Sequence, residues 1–250
     1  MSAQDTAVIV MAKRPHPGKT KTRLTPTMSP EDAAELYEAM LLDTISILAI
    51  REDCTPIIAV DETESSQWFS QAAPGVAQLF QGEGALGDRL NRVMTNAFEL
   101  GFTRVFAINS DGPDLPQSHL DDALRALDHP ETDLVFGPNV DGGYYLIGWK
   151  KPWPPVVTDV TMSTPTVLQD SLAIAERLGA RVHLGREWFD VDVPEDLERF
   201  IQSMANTGLR SDTFLFKWEK REREAGRWTC LLYTSPSPRD RTRSRMPSSA

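Results

Sequence analysis

The residues most able to do chemistry lie in Ile108-Asn-Ser-Asp111-Gly-Pro-Asp114-Leu-Pro116. They follow Thr103-Arg-Val-Phe-Ala107, a β-branched and aromatic run that reads as a buried central strand. A strand ending in Asp-Gly-Pro-Asp sets two carboxylates on a tight turn at the C-terminal edge of a sheet, where open α/β folds bind ligands. Close carboxylates repel unless a cation lies between them, and the natural occupant is a divalent metal carrying phosphates. The competing explanation is a solvated Asx/Pro turn ahead of a helix.

A second cluster is basic. Lys13, Arg14, Lys19, Lys21 and Arg23 crowd one loop of an otherwise acidic chain, directly after the apolar strand Ala7-Val-Ile-Val-Met-Ala12. A loop leaving strand one and feeding a helix is where nucleotide phosphates settle in α/β folds, and Lys and Arg together suit a diphosphate. Gly18-Lys19-Thr20 is not a P-loop, because the glycine required five residues before Gly18 is Lys13. Gly82-Glu-Gly84-Ala-Leu-Gly87 matches a dinucleotide fingerprint but falls in the third βα turn instead of the first. It reads better as a loop in which Gly84 and Gly87 let the backbone approach a base or ribose, with Asp88 and Arg89 opening the next helix.

Two further sites complete the set. Gly137-Pro-Asn-Val-Asp141-Gly-Gly-Tyr-Tyr145 contains a tight turn that aims Asp141 and leaves room at Gly142, Gly143 and Tyr144 for an acceptor, or is a simple hairpin turn. Trp188-Phe-Asp190-Val-Asp192-Val-Pro-Glu195-Asp196 puts two acids just ahead of a helix. Asp192 is either its N-cap, with Glu195 completing a capping box, or a metal ligand. None of the histidines at 16, 119, 129 and 183 pairs with a nucleophile pattern, so a serine or cysteine hydrolase has no support.

Strands alternating with helices must position these groups. Beyond strand one, strands are predicted at 55–60, 76–80, 103–108, 133–137, 144–149 and 181–184, and helices from Ser29-Pro-Glu-Asp onward, near 66–69, and at 86–100, 118–127, 164–178 and 194–204. This pattern predicts a single α/β domain over 7–205, a mostly parallel twisted sheet with helices on both faces. Residues 206–229 read as a peripheral C-terminal segment.

Hydrophobic content of 40% and charged content of 25% are those of an ordinary globule, and a net charge of −10 argues against nucleic-acid or acidic-membrane partners. No apolar run approaches the roughly 20 residues of a membrane span, and the N-terminus lacks a signal-peptide pattern, so the expected location is the cytoplasm. Residues 230–250 resemble a reading frame through a transposase-type sequencing-library adapter, which makes them non-native and leaves Cys54 as the one genuine cysteine. That stretch holds four Arg and one Asp, so the rest of the chain is more acidic than the total.

Five ordered motifs carry a family resemblance: Met11-Ala-Lys-Arg-Pro-His-Pro-Gly-Lys-Thr-Lys-Thr-Arg-Leu24, Gly84-Ala-Leu-Gly-Asp-Arg-Leu90, Asp111-Gly-Pro-Asp-Leu-Pro116, Gly137-Pro-Asn-Val-Asp-Gly-Gly-Tyr-Tyr-Leu-Ile-Gly148 and Asp190-Val-Asp-Val-Pro-Glu-Asp-Leu197. The chain resembles the bacterial glycosyltransferase-A-type proteins labelled radical-SAM/selenodomain-associated transferase 1, and more distantly the phospholactate and molybdenum-cofactor guanylyltransferases. The resemblance implies the nucleotide-diphospho-sugar transferase fold and a Mg²⁺ or Mn²⁺ site at Asp111, with Asp192 as second metal acid and Asp190 as the fallback. Relatives should carry a small polar residue where this chain has Gly112. The expected activity is metal-dependent transfer from a nucleotide-sugar to a small-molecule acceptor. Lys21 and Arg23, backed by Lys13 and Lys19, would face the phosphates, and Asp141 would act on the acceptor. The alternatives are nucleotidyl transfer from an NTP to a phosphorylated acceptor with release of pyrophosphate, and a non-catalytic nucleotide-binding protein.

Overall fold

The computed structural model describes residues 5–61, 65–112, 115–207 and 213–226, the side chains of 203–207 excepted. Asp114 and the adapter-like stretch 230–250 lie outside the described residues. In chain order the elements are β1 (Thr6–Ala12), α1 (Pro30–Ala49), β2 (Thr55–Val60), α2 (Ser66–Ala72), β3 (Ala77–Phe80), α3 (Leu86–Glu99), β4 (Arg104–Asn109), α4 (Gln117–Asp128), β5 (Leu134–Pro138), β6 (Tyr144–Trp149), α5 (Pro155–Thr158), α6 (Val167–Arg177), β7 (Val182–Leu184), α7 (Pro194–Thr207) and α8 (Phe214–Glu224). The seven strands form one sheet in the order β3-β2-β1-β4-β6-β5-β7. Only β6 runs against the others, pairing antiparallel with both β4 and β5. The expected mostly parallel α/β sheet is therefore present.

Alternation along β1 explains the layers. Val8, Val10 and Ala12 face one core with Leu36, Met40 and Leu41 of α1 and Leu120 and Leu124 of α4. Ala7 and Ile9 face the other, with Leu90, Val93 and Met94 of α3 and Ile174 of α6. A central strand buried on both faces needs a continuous apolar run, as β1 has from Ala7 to Ala12. The start of α1 is as the sequence predicts: Ser29 Oγ accepts from Asp32 N–H at 3.1 Å ahead of Pro30.

Helix α8 docks on α1. Leu215 and Trp218 are buried in the first core. Both oxygens of the buried Asp43 on α1 accept from the first amides of α8, Phe214 N–H at 2.7 Å and Leu215 N–H at 2.9 Å. A carboxylate at a helix N-terminus satisfies orphan donors and complements the helix dipole. No described helix is long and apolar enough to cross a membrane.

Candidate active site at the C-terminal edge of the sheet

Because β1, β4, β5 and β7 share a direction, the segments that leave them meet at one edge. At β1 the chain turns one way to β2 and the sheet continues the other way to β4, which opens a crevice between their ends. A cleft of about 730 Å³ lies there, and its walls include Lys13, Lys19, Lys21, Arg23, Asp111, Asp141, Gly143, Tyr144, Asp190 and Asp192. Ten of the thirteen candidate residues are thus brought together.

The backbone does the assembling. Val191 N–H donates to Asp111 O at 3.1 Å, which pins the segment after β7 to the turn after β4. Val140 N–H donates to Trp188 O at 3.1 Å and Trp188 N–H to Pro138 O at 3.0 Å, which adds the turn after β5. Tyr37 of α1 joins the loop after β1 to the same edge. Its hydroxyl accepts from Lys13 N–H at 3.1 Å and lies 2.9 Å from Ser110 Oγ. Burial pushes that phenol up to about 12, so it is neutral.

At the centre, Lys21 Nζ donates to Asp111 Oδ2 at 2.7 Å and to Asp192 Oδ1 at 2.6 Å. The Lys21 side chain is 5% exposed, whereas Lys13, Lys19 and Arg23 are exposed at the mouth. Burial by itself would lower the Lys21 pKa, but the two carboxylates outweigh it and hold the ammonium charged well above the ordinary lysine range. Lys21 adopts left-handed backbone angles, φ 50 and ψ 40, just before a 3-10 turn at Thr22–Leu24.

Beside Asp192, its neighbour Asp196 takes the capping role. Asp196 Oδ2 accepts from Asp192 N–H and Val193 N–H, each at 3.1 Å, so the start of α7 is held by Asp196 and not by Asp192 with Glu195. The Asp192 carboxylate is thereby released to the cleft. Asp190 behaves differently. Its Oδ2 accepts from Asn109 Nδ2 at 2.8 Å and Asn139 Nδ2 at 2.6 Å, while Oδ1 is buried without a partner. Burial first, and the charge of Asp111 second, raise this carboxyl well above the carboxylate range. Asp111, Asp190 and Asp192 do not form a group with oxygens all within 4.8 Å of one another; among the described residues only Asp32 and Glu35 of α1 with Glu222 of α8 do so. Two acids, not three, share one cation.

The glycines divide. Gly143 lines the cleft and its N–H donates to Asp141 Oδ1 at 2.8 Å. Gly84, Gly87 and Gly142 are not in the cleft wall. A Cβ on Gly87 would lie 2.1 Å from Val157 O, so this glycine lets α3 pack on α5. A Cβ on Gly142 would lie 1.9 Å from Pro165 O, which makes it the contact between the β5–β6 turn and the segment entering α6.

Several site residues escape motif reading. Asn109 and Asn139 fix Asp190, and Tyr37 and Ser110 tie the loops. Gln81, buried, donates to Ala12 O at 2.9 Å and Ala59 O at 2.8 Å, closing the ends of β1 and β2 beneath the cleft. Arg89 also lines the cleft. The usable signal was position: all but Tyr37, which lies inside α1, end a strand, stand one residue beyond one or open a helix at this edge.

The family described as an uncharacterized protein conserved in bacteria (DUF2064) matches residues 44–164. The 2-phospho-L-lactate guanylyltransferase of Methanothermobacter thermautotrophicus is 31% identical over 138 residues, 55% of this chain and 58% of that protein, so the match spans little more than half of the relative. A Desulfovibrio desulfuricans G20 structure, provisionally described as a nucleotide-diphospho-sugar transferase, superposes with a TM-score of 0.82 at 27% identity, covering 93% of this chain and 98% of that one. A Leptospira borgpetersenii cytidylyltransferase shares the fold at a TM-score of 0.50 and 10% identity, over 93% and 98% of the two chains. These similarities agree with the resemblance drawn from the motifs.

Proposed function

We propose that this chain, which matches the DUF2064 family over residues 44–164, is a nucleotidyltransferase that moves an NMP group from an NTP to a phosphorylated acceptor and releases pyrophosphate. The observation that carries this reading is the convergence of Asp111 and Asp192 on one cationic atom, at 2.7 and 2.6 Å, in the floor of a cleft rimmed by Lys13, Lys19 and Arg23. The 31% identical guanylyltransferase supports nucleotidyl over glycosyl transfer and makes GTP the first donor to try.

The donor set fits a divalent metal. Asp111 and Asp192 offer hard carboxylate oxygens that already enclose a positive centre, the ligand type that Mg²⁺ and Mn²⁺ prefer. These two acids, with Asp190 alongside, would hold the metal, which would supply positive charge against that developing on the leaving group. Lys13, Lys19 and Arg23 bind the remaining phosphate oxygens from the mouth of the cleft. Asp141, held by the Gly143 N–H, orients the acceptor beside Tyr144. An acceptor phosphate oxygen attacks the α-phosphorus, the bond from that phosphorus to the β-bridging oxygen breaks, and pyrophosphate leaves with the electron pair.

Glycosyl transfer from a nucleotide-sugar is the second reading, favoured by the description of the D. desulfuricans structure. Incubation with Mg²⁺ or Mn²⁺, each NTP and a panel of phosphorylated hydroxy acids separates the two. Pyrophosphate release that depends on the acceptor supports nucleotidyl transfer. NDP formed from UDP-, GDP- or dTDP-sugars without pyrophosphate transfers the assignment to glycosyl chemistry. Tight nucleotide binding that needs no metal and survives Asp111→Ala leaves only a non-catalytic binding protein.

A further inference from the structure

Lys21 stands where the reading above puts a metal. Its Nζ lies 2.7 Å from Asp111 Oδ2 and 2.6 Å from Asp192 Oδ1, so one ammonium satisfies the two oxygens that would face a divalent ion. The placement is built, not incidental. The other cations of the loop are exposed, while the Lys21 side chain is 5% exposed and reaches inward from a left-handed backbone that L-residues seldom adopt. The charge cannot be removed by itself. With Lys21 gone, Asp111 and Asp192 face each other unneutralised, beside Asp190 with its unpartnered Oδ1. Lys21 leaves most readily as another cation enters, because both cannot occupy the position between Asp111 Oδ2 and Asp192 Oδ1.

We propose that Lys21 is a resident counter-ion that a divalent metal must displace. Free metal, without nucleotide, then binds weakly. A metal–nucleotide complex binds well because the displaced ammonium gains the phosphates as new partners, and the exchange couples metal entry to delivery of Lys21 toward the substrate. This rests on the metal-site reading. The rival geometry is specific: Asp192 is 46% exposed and Asp111 24%, so a metal could instead take their outward oxygens while Lys21 stays.

The two are separated by titrating free Mn²⁺ without nucleotide into the wild-type chain, Lys21→Met, Lys21→Arg and the double variant Lys21→Met/Asp111→Asn, reading bound Mn²⁺ by loss of its paramagnetic resonance sextet. Displacement requires Lys21→Met to bind Mn²⁺ about tenfold or more tighter than wild type, since a competing unit charge is gone from contact distance. It also requires Lys21→Arg to stay as weak as wild type and the double variant to lose the gain. Equal affinity in wild type and Lys21→Met, abolished by Asp111→Asn, overturns displacement and leaves the metal site standing. No binding by any variant, with or without a non-hydrolysable GTP analogue, overturns the metal site itself. Thermal unfolding guards against a folding artefact. Lys21→Met should melt lower than wild type in EDTA and regain the difference in Mn²⁺; a variant that Mn²⁺ does not restore counts against displacement.

Discussion

The Asn139 carboxamide donates to Asp190 Oδ2 at 2.6 Å, a side-chain contact that adds to the backbone bonds between the turn after β5 and the acidic segment after β7. Asn109 at the end of β4 donates to the same oxygen at 2.8 Å. Three chain segments, remote in sequence, are therefore registered at the cleft by one carboxylate whose other oxygen is buried without a partner. Asp190 is better placed to position Asp192 than to replace it.

Asn139→Ala should cost about 1–3 kcal/mol, because Asp190 loses one of its two donors while remaining enclosed. Urea unfolding reads this as a lower midpoint with an unchanged slope. An unaltered midpoint would mean that the contact contributes nothing to holding the edge together.

Asp192 and Asp196 sit four residues apart and should separate function from stability. Asp196→Ala removes the acceptor for Asp192 N–H and Val193 N–H and should cost about 1 kcal/mol of stability, the usual scale for a helix cap. Asp192→Asn keeps that cap but withdraws a charge from Lys21 and from the proposed metal site, so turnover should fall by about 100-fold or more with little change in melting temperature. The reverse pattern, a stable inactive Asp196→Ala and a labile active Asp192→Asn, would exchange their roles.

What could be read along the chain was what local pattern controls. The apolar strand β1, the Ser29 cap, Asp111 just beyond β4 and the basic loop after β1 all stand where the sequence predicts them. What could not be read depends on contacts between remote segments. The basic loop was expected to face phosphates as a group, yet Lys21 alone turns inward, which needs both a left-handed backbone and acids delivered by β4 and β7. Gly87 and Gly142 look like ligand-facing glycines in a motif, but their missing Cβ atoms make room for Val157 O and Pro165 O. The pattern Asp192-x-x-Glu195 suggested a capping box; Asp196, one residue on, does the capping. Helix α5, only four residues between prolines and a threonine, is too short for periodicity to show.

Gly142→Ala should destabilise the chain by more than about 1 kcal/mol, from two causes that add: a positive φ of 87 and a Cβ 1.9 Å from the Pro165 carbonyl oxygen. The clash is with backbone, so the β5–β6 turn must shift and carry Asp141 with it. The kinetic mark is a raised KM for the acceptor with the KM for the nucleotide little changed. An equal rise in both would place Asp141 on the nucleotide side instead.

The pH dependence of stability should be set in part at the β5–β7 edge, which leads directly into the segment bearing Asp190 and Asp192. Asp133 Oδ2 accepts from Arg181 Nε at 2.8 Å and Arg181 N–H at 2.9 Å, and its Oδ1 from Arg181 Nη2 at 3.1 Å. The Arg181 side-chain hydrogen bonds, only partly opposed by burial, hold the carboxyl down at about 2 against an ordinary 3.8. An acid with a depressed folded-state pKa contributes stability in full above its unfolded pKa and loses it as pH falls through the folded value. The contribution of Asp133 should therefore be intact above about pH 4 and gone by about pH 2, with Asp133→Asn lacking that part of the slope. Denaturant midpoints of the two proteins between pH 2 and 5, taken at raised salt as well because Arg181 is exposed, should converge as pH falls. Parallel curves across that window would show that the Arg181 contacts do not favour the ionised carboxylate, and that β7 is held by its backbone ladder alone.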